Sequence, residues 1–122
     1  IKAPAFYDTG TRNVGEDYDE NEVTGPMAGG NTALVFRDGK WDRAEPVLGG
    51  TLSNCAGGPT PWGTWLTCEE DKSDFTDLGG LPHGYVFEVS ANAGETSAVP
   101  IKTMGRMDHE AVALDPFTGA LY

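Results

Sequence analysis

Basic residues are scarce. Eight Lys and Arg stand against 19 Asp and Glu in 122 residues, which gives a formal charge of −11 and a pI near 4.3. Such a chain is repelled by phosphate backbones and anionic lipid, so nucleic acid and membrane surfaces are not its expected partners. A cationic or metal-bound partner fits better. No apolar run approaches the roughly 20 residues that a bilayer-spanning helix needs. Cysteine is limited to Cys55 and Cys68, histidine to His83 and His109. No C-x₂-C pair exists and both histidines lie far from the cysteines, so a structural zinc site is not expected. Long helices are not expected either, because 17 Gly and 8 Pro interrupt the chain throughout. An initiator Met is missing as well, since residue 1 is Ile and the sequence stops at Ala120-Leu121-Tyr122 inside what reads as a hairpin. An internal fragment is expected, and any export signal would precede it.

The apolar content is 39%, with three Trp, five Phe and four Tyr. That is too much for a disordered acidic tail, so the chain expects a core. Together with the density of turn residues it predicts an all-β fold. Residues 1–31 read as an acidic, Gly-rich loop region and residues 32–122 as one partial β domain. Within the first, Asp8, Glu16, Asp17, Asp19, Glu20 and Glu22 have the composition of a solvated loop. The alternation at Asp17, Asp19 and Asn21 is that of an EF-hand, but Glu22 stands where the motif needs Gly and Ala28 where it needs the bidentate Glu.

From Thr32 the pattern changes. Thr32-Ala33-Leu34-Val35-Phe36-Arg37 meets Asp38-Gly39, a strong hairpin signal, before Lys40-Trp41. Further strands are predicted at residues 51–55, 62–69, 85–89 and 110–114. Asp115-Pro116-Phe117-Thr118-Gly119 would turn the last of these back on Ala120-Leu121-Tyr122. Strand, polar turn, strand recurs as in propeller blades, and the open final hairpin favours one to two blades of something larger; a sandwich or jelly roll would leave similar traces.

Two stretches carry chemistry. In residues 50–70, four Gly and two Pro fix the backbone around Cys55, a rigidity that can aim side chains. The strand that follows alternates faces, Trp65, Thr67 and Glu69 on one side and Leu66, Cys68 and Glu70 on the other. One of the two carboxylates therefore points inward and needs a metal or a cation to hold its charge. Cys55 and Cys68 fit a disulfide closing a loop of about a dozen residues, worth about 3 kcal/mol in an exported protein. Equally, Cys68 fits a buried small hydrophobe and Cys55 a thiolate ligand. The second stretch, Arg106-Met107-Asp108-His109-Glu110, leads into an apolar strand. It reads either as a polar cluster facing a cleft or as a salt-bridged strand start with a satisfied histidine. His83 beside Gly84 reads as a turn residue.

Taken together, Asn54-Cys55-Ala56-Gly57-Gly58-Pro59-Thr60-Pro61-Trp62-Gly63-Thr64-Trp65-Leu66-Thr67-Cys68-Glu69-Glu70, then His83-Gly84-Tyr85-Val86-Phe87-Glu88-Val89, then Gly105-Arg106 with His109-Glu110-Ala111, resemble the PhoX family of alkaline phosphatases. The resemblance covers roughly residues 49–122, with residues 1–40 matching only loosely. It implies a six-bladed β-propeller, a monomer exported by the twin-arginine route to the periplasm or cell exterior, that hydrolyses phosphomonoesters with Fe³⁺ and Ca²⁺ in its central channel. It also implies that Cys55, Glu70 and Glu110 are metal ligands, with Glu69 the fallback for Glu70, and it makes Arg106 and His109 weaker candidates for the reaction. Iron and calcium would polarise the phosphoryl oxygens and hold an oxygen nucleophile, so no catalytic serine is required. The family's later Arg-Pro-Glu segment is not among these residues, and the stretch between Glu70 and His83 is short for the family. An isolated fragment of this extent is therefore expected to be inactive. The competing readings are a calcium-dependent propeller that only binds, and a propeller hydrolase for another substrate class such as lactones or phosphodiesters.

Overall fold

The computed structural model describes residues 2–10, 27–92 and 94–122. The acidic residues between 11 and 26, including the alternation at Asp17, Asp19 and Asn21, lie outside the described residues. The described chain is all-β, with six strands, single 3₁₀ turns at Thr76–Leu78 and Lys102–Met104, and no α-helix among them. No helix among the described residues is long and apolar enough to cross a membrane.

Strands β1 (Ala5–Phe6), β2 (Gly29–Arg37) and β3 (Lys40–Thr51) form one sheet in the order β1-β3-β2. Asp38 and Gly39 join β2 to β3 as the sequence predicts, both with positive φ (51° and 76°), the conformation a two-residue hairpin turn needs and glycine adopts without strain. Three register shifts let β2 curl along its partner. The outer half of β3 is exposed, and near the turn Phe36 and Trp41 meet edge to face. Its inner half, from Val47 to Thr51, is largely buried because β1 covers one edge and β2 the other.

The second sheet, in the order β4-β5-β6, comprises β4 (Gly58–Pro59), β5 (Trp65–Cys68) and β6 (Val86–Val89). It is antiparallel and buried on both faces. On one side Phe87 and Val89 pack on Val47 and Leu48 of the first sheet, with Tyr7, Ala33, Tyr85 and Ala98 around them. On the other, Leu66, Cys68 and Val86 pack on Val112, Ile101 and Met104 from the segment that follows the sheet. Strand β5 is therefore a central strand with a core on each side, which is why its residues 66–69 are buried on both faces.

Three expectations change. Residues 51–55, predicted as a strand, leave β3 after Thr51 in a turn with Ser53 at φ 46°, where short polar side chains compete with ladder bonding. Residues 110–114 make only isolated bridges, Ala111 to Gly57 and Leu114 to Leu121. In the predicted loop region 1–31, Ala5–Phe6 and the start of β2 are strand, because both find partners on β3. The closing hairpin is as predicted, with reciprocal bonds between Ala113 and Tyr122 (2.9 Å each) and Gly119 turning back onto Asp115 (2.8 Å).

Candidate functional site

The Cys-bearing turn is laid against β5 by its polar side chains. Thr51 Oγ1 donates to Asn54 Oδ1 (2.5 Å), and Asn54 Nδ2 donates to Thr67 Oγ1 (3.0 Å). The backbone then locks in: Cys55 N donates to Cys68 O (2.8 Å) and Glu70 N to Ser53 O (3.1 Å). Beyond Cys55, the two glycines meet carbonyls that no side chain could approach. A Cβ on Gly57, whose φ is 62°, would overlap the Leu66 carbonyl oxygen, and one on Gly58 would overlap that of Val112. Gly58→Ala is therefore expected to cost about 1–3 kcal/mol and to lower the melting temperature. An unchanged melting temperature would mean that this close approach is absent.

That packing brings Cys55, Glu70 and Glu110 into one neighbourhood from positions 15 and 40 residues apart in sequence. Gly57 N donates to Glu110 O (3.0 Å), beside the parallel bridge from Gly57 to Ala111. Glu70, exposed at the end of β5, accepts a hydrogen bond from the Cys55 thiol. The Ala56 amide pulls the thiol pKa down, but the Glu70 hydrogen bond, burial and the charges of Glu70 and Glu110 outweigh it and push the pKa up. The two carboxylates thus favour the protonated thiol. In donor type, one soft sulfur and the hard carboxylate oxygens match the implied iron. They do not close a shell by themselves: among the described residues, no group of three or more His, Cys, Asp or Glu is arranged to hold a metal ion.

Cys68 is fully buried, and both thiols are free. Burial and the charge of Cys55 push the Cys68 thiol up to about 11, against a Gly57 backbone bond that lowers it. It is the small core residue of the two readings, and the disulfide reading does not hold.

Glu69 is the inward carboxylate, and His83 stands against it. Its Oε1 accepts from Leu52 N (2.9 Å) and His83 Nδ1 (2.6 Å), and its Oε2 from Gly84 N (2.7 Å) and Tyr85 N (3.0 Å). Glu69 and His83 are both 0% exposed. The other ring nitrogen, His83 Nε2, meets Asp8 Oδ2 at 3.1 Å. Burial alone would lower the His83 pKa, but the hydrogen bonds and charges of Glu69 and then Asp8 raise it. A carboxylate at each nitrogen thus favours the charged form of the ring. Four donors occupy Glu69 completely, which leaves Glu70 as the carboxylate available beside Cys55.

Arg106 and His109 both reach backbone carbonyls. Arg106 Nε donates to His83 O (2.8 Å) and its Nη2 to Lys72 O, with Asp74 3.7 Å away. Its fork is thereby turned to backbone carbonyls of the 72–83 loop. His109 Nε2 lies 3.3 Å from Gly105 O, and its amide donates to Glu69 O (2.9 Å). The roles of Asp8 and His83 carry no local sequence signal, because Glu69 and Asp8 lie 14 and 75 residues from the histidine.

The family model described as alkaline phosphatase PhoX matches residues 6–122. The chain belongs to the PhoX alkaline phosphatase family. The match begins well before Gly49, where the resemblance in the sequence becomes specific, and so takes in the β2–β3 hairpin and Asp8. This PhoX chain thus carries Cys55, Glu70, Glu110 and the buried Asp8–His83–Glu69 cluster within one family match. No curated protein and no solved structure matches it.

Proposed function

We propose that the intact protein is a phosphomonoesterase dependent on iron and calcium, and that the two sheets are one to two blades of a six-bladed propeller. The observation that carries this is the family match over residues 6–122, and the Cys55 thiol bonded to Glu70 within reach of the Glu110 charge supports the ligand reading. Cys55 would be the thiolate ligand, losing its proton as metal binds, and Glu70 and Glu110 the hard oxygen ligands. The bound ions would supply the positive charge that polarises a phosphoryl group. Their local field would also reverse the repulsion that a −11 chain exerts on an anionic ester. The chain's own residues orient the site: the Gly57–Gly58 turn fixes Cys55 against β5, and Arg106 holds the 72–83 loop through its carbonyl contacts. The protein would act on small phosphate esters as a monomer, in the periplasm or outside the cell after twin-arginine export.

The test is metal analysis of the full-length protein with hydrolysis of a simple aryl phosphate before and after exhaustive chelation. Iron and calcium should both be present, and chelation should lower the rate about 100-fold or more, of the order that a metal's charge stabilisation supplies. Full activity after chelation would overturn the metal reading. Turnover of lactones or phosphodiesters with none of monoesters would overturn the substrate class.

A further inference from the structure

We propose that the buried Asp8–His83–Glu69 cluster is the positioning device of the metal site, with His83 as its central positioning residue; this rests on the reading of Cys55, Glu70 and Glu110 as ligands. Each candidate ligand is attached to Glu69 by a separate contact. The Glu69 carboxylate holds the Leu52 amide at the head of the Cys55 turn (2.9 Å), and the Glu69 backbone pairs with Asn54, next to Cys55. Glu70 follows Glu69 directly in the chain. Glu110 follows His109, whose amide donates to the Glu69 carbonyl (2.9 Å). A shift of Glu69 therefore moves all three candidate ligands together.

His83 fixes where Glu69 can sit. Its Nδ1 contact at 2.6 Å takes one side of the Oε1 oxygen, while the Gly84 and Tyr85 amides, from the residues that follow it, take Oε2. The ring is itself held from behind. Asp8 accepts from its Nε2 and also from Leu81 N (3.0 Å) and Gly10 N (2.8 Å), while Tyr7 and Phe75 meet the ring edge to face. A ring bonded through both nitrogens resists rotation in a way that a ring with one partner does not. Partners that orient first-layer ligands in this way typically change metal affinity by about 10–100-fold when removed. Both carboxylates and the ring are buried, so the cluster acts through Glu69 and not on substrate.

The experiment compares full-length wild type, His83→Gln, Asp8→Asn and Tyr7→Phe. Tyr7→Phe is the control, since it removes the hydroxyl bond to Pro82 O (2.7 Å) in the same loop but no contact of Glu69 or Asp8. Iron retention against a competing chelator and the thiolate-to-iron charge-transfer absorption are read under conditions where circular dichroism shows each protein folded. His83→Gln and Asp8→Asn should hold iron about 10–100-fold more weakly and shift the absorption, while Tyr7→Phe should match wild type in both. If His83→Gln does not fold, Asp8→Asn, which keeps the Glu69–His83 contact, carries the comparison. Unchanged retention and absorption in the His83 and Asp8 variants overturns the positioning role. Wild type that takes up no iron overturns the ligand reading itself, and that is seen before any variant is compared.

Discussion

Replacing Cys55 with serine in the full-length protein should lower bound iron about tenfold or more and abolish phosphatase activity, with the melting temperature within a few degrees of wild type. The separation of effects follows from where the residue stands. Its amide bond to Cys68 O, the Asn54 contacts and the Gly57–Gly58 packing all persist in a serine variant, because none of them uses the sulfur. The thiol bonds to the Glu70 carboxylate and feels the charge of Glu110, so serine would remove the proposed sulfur donor and leave the carboxylates in place. Cys68→Ser is the converse control. It places a hydroxyl in the cluster of Leu66, Val86 and Val112, so it should cost stability and leave iron content unchanged. Elemental analysis and thermal melts of the two variants read both effects. Normal iron content in Cys55→Ser would sink the assignment of Cys55 as a ligand.

What the sequence made legible was local. The Asp38-Gly39 hairpin, the alternation along β5 and the turn at Asp115 to Gly119 all depend on neighbours in the chain, and each stands in the structure as predicted. The alternation even required that one of Glu69 and Glu70 be buried with a cation. It did not say which cation, because His83 and Asp8 come from other parts of the chain and reach Glu69 only through the packing of the two sheets. The failed strands at residues 51–55 and 110–114 have the same origin. Val112 is buried, but the backbones of these segments make isolated bonds and bridges and not a continuous ladder. The Cys55, Glu70 and Glu110 grouping became readable through family resemblance, since no spacing rule links residues 15 and 40 positions apart.

Removing the charge of Glu69 is expected to have the largest effect on stability of any single polar substitution in the described core. Glu69→Gln offers one acceptor oxygen where four donors now converge, and it leaves His83 with Asp8 as its one carboxylate partner. Breaking a buried pair in this way costs about 3–5 kcal/mol, a large part of the roughly 5–15 kcal/mol that holds a typical domain together. Denaturant midpoints would report it, and a variant within about 1 kcal/mol of wild type, the worth of a single ordinary hydrogen bond, would show that the four bonds do not act on Glu69 as described. The same cluster sets a pH dependence whose sign is fixed. The His83 pKa is raised above its ordinary 6.5 in the folded state, so its contribution is fully present below 6.5 and is lost as pH rises through the folded value. The thiol of Cys68, with an ordinary pKa of 9.0 pushed to about 11, and the Tyr7 hydroxyl, pushed to about 12, act only at higher pH. Between pH 6.5 and 9.0, wild type should therefore lose melting temperature as pH rises, and His83→Gln should flatten that slope. A slope that persists unchanged in His83→Gln would mean that the ring is neutral in the folded protein.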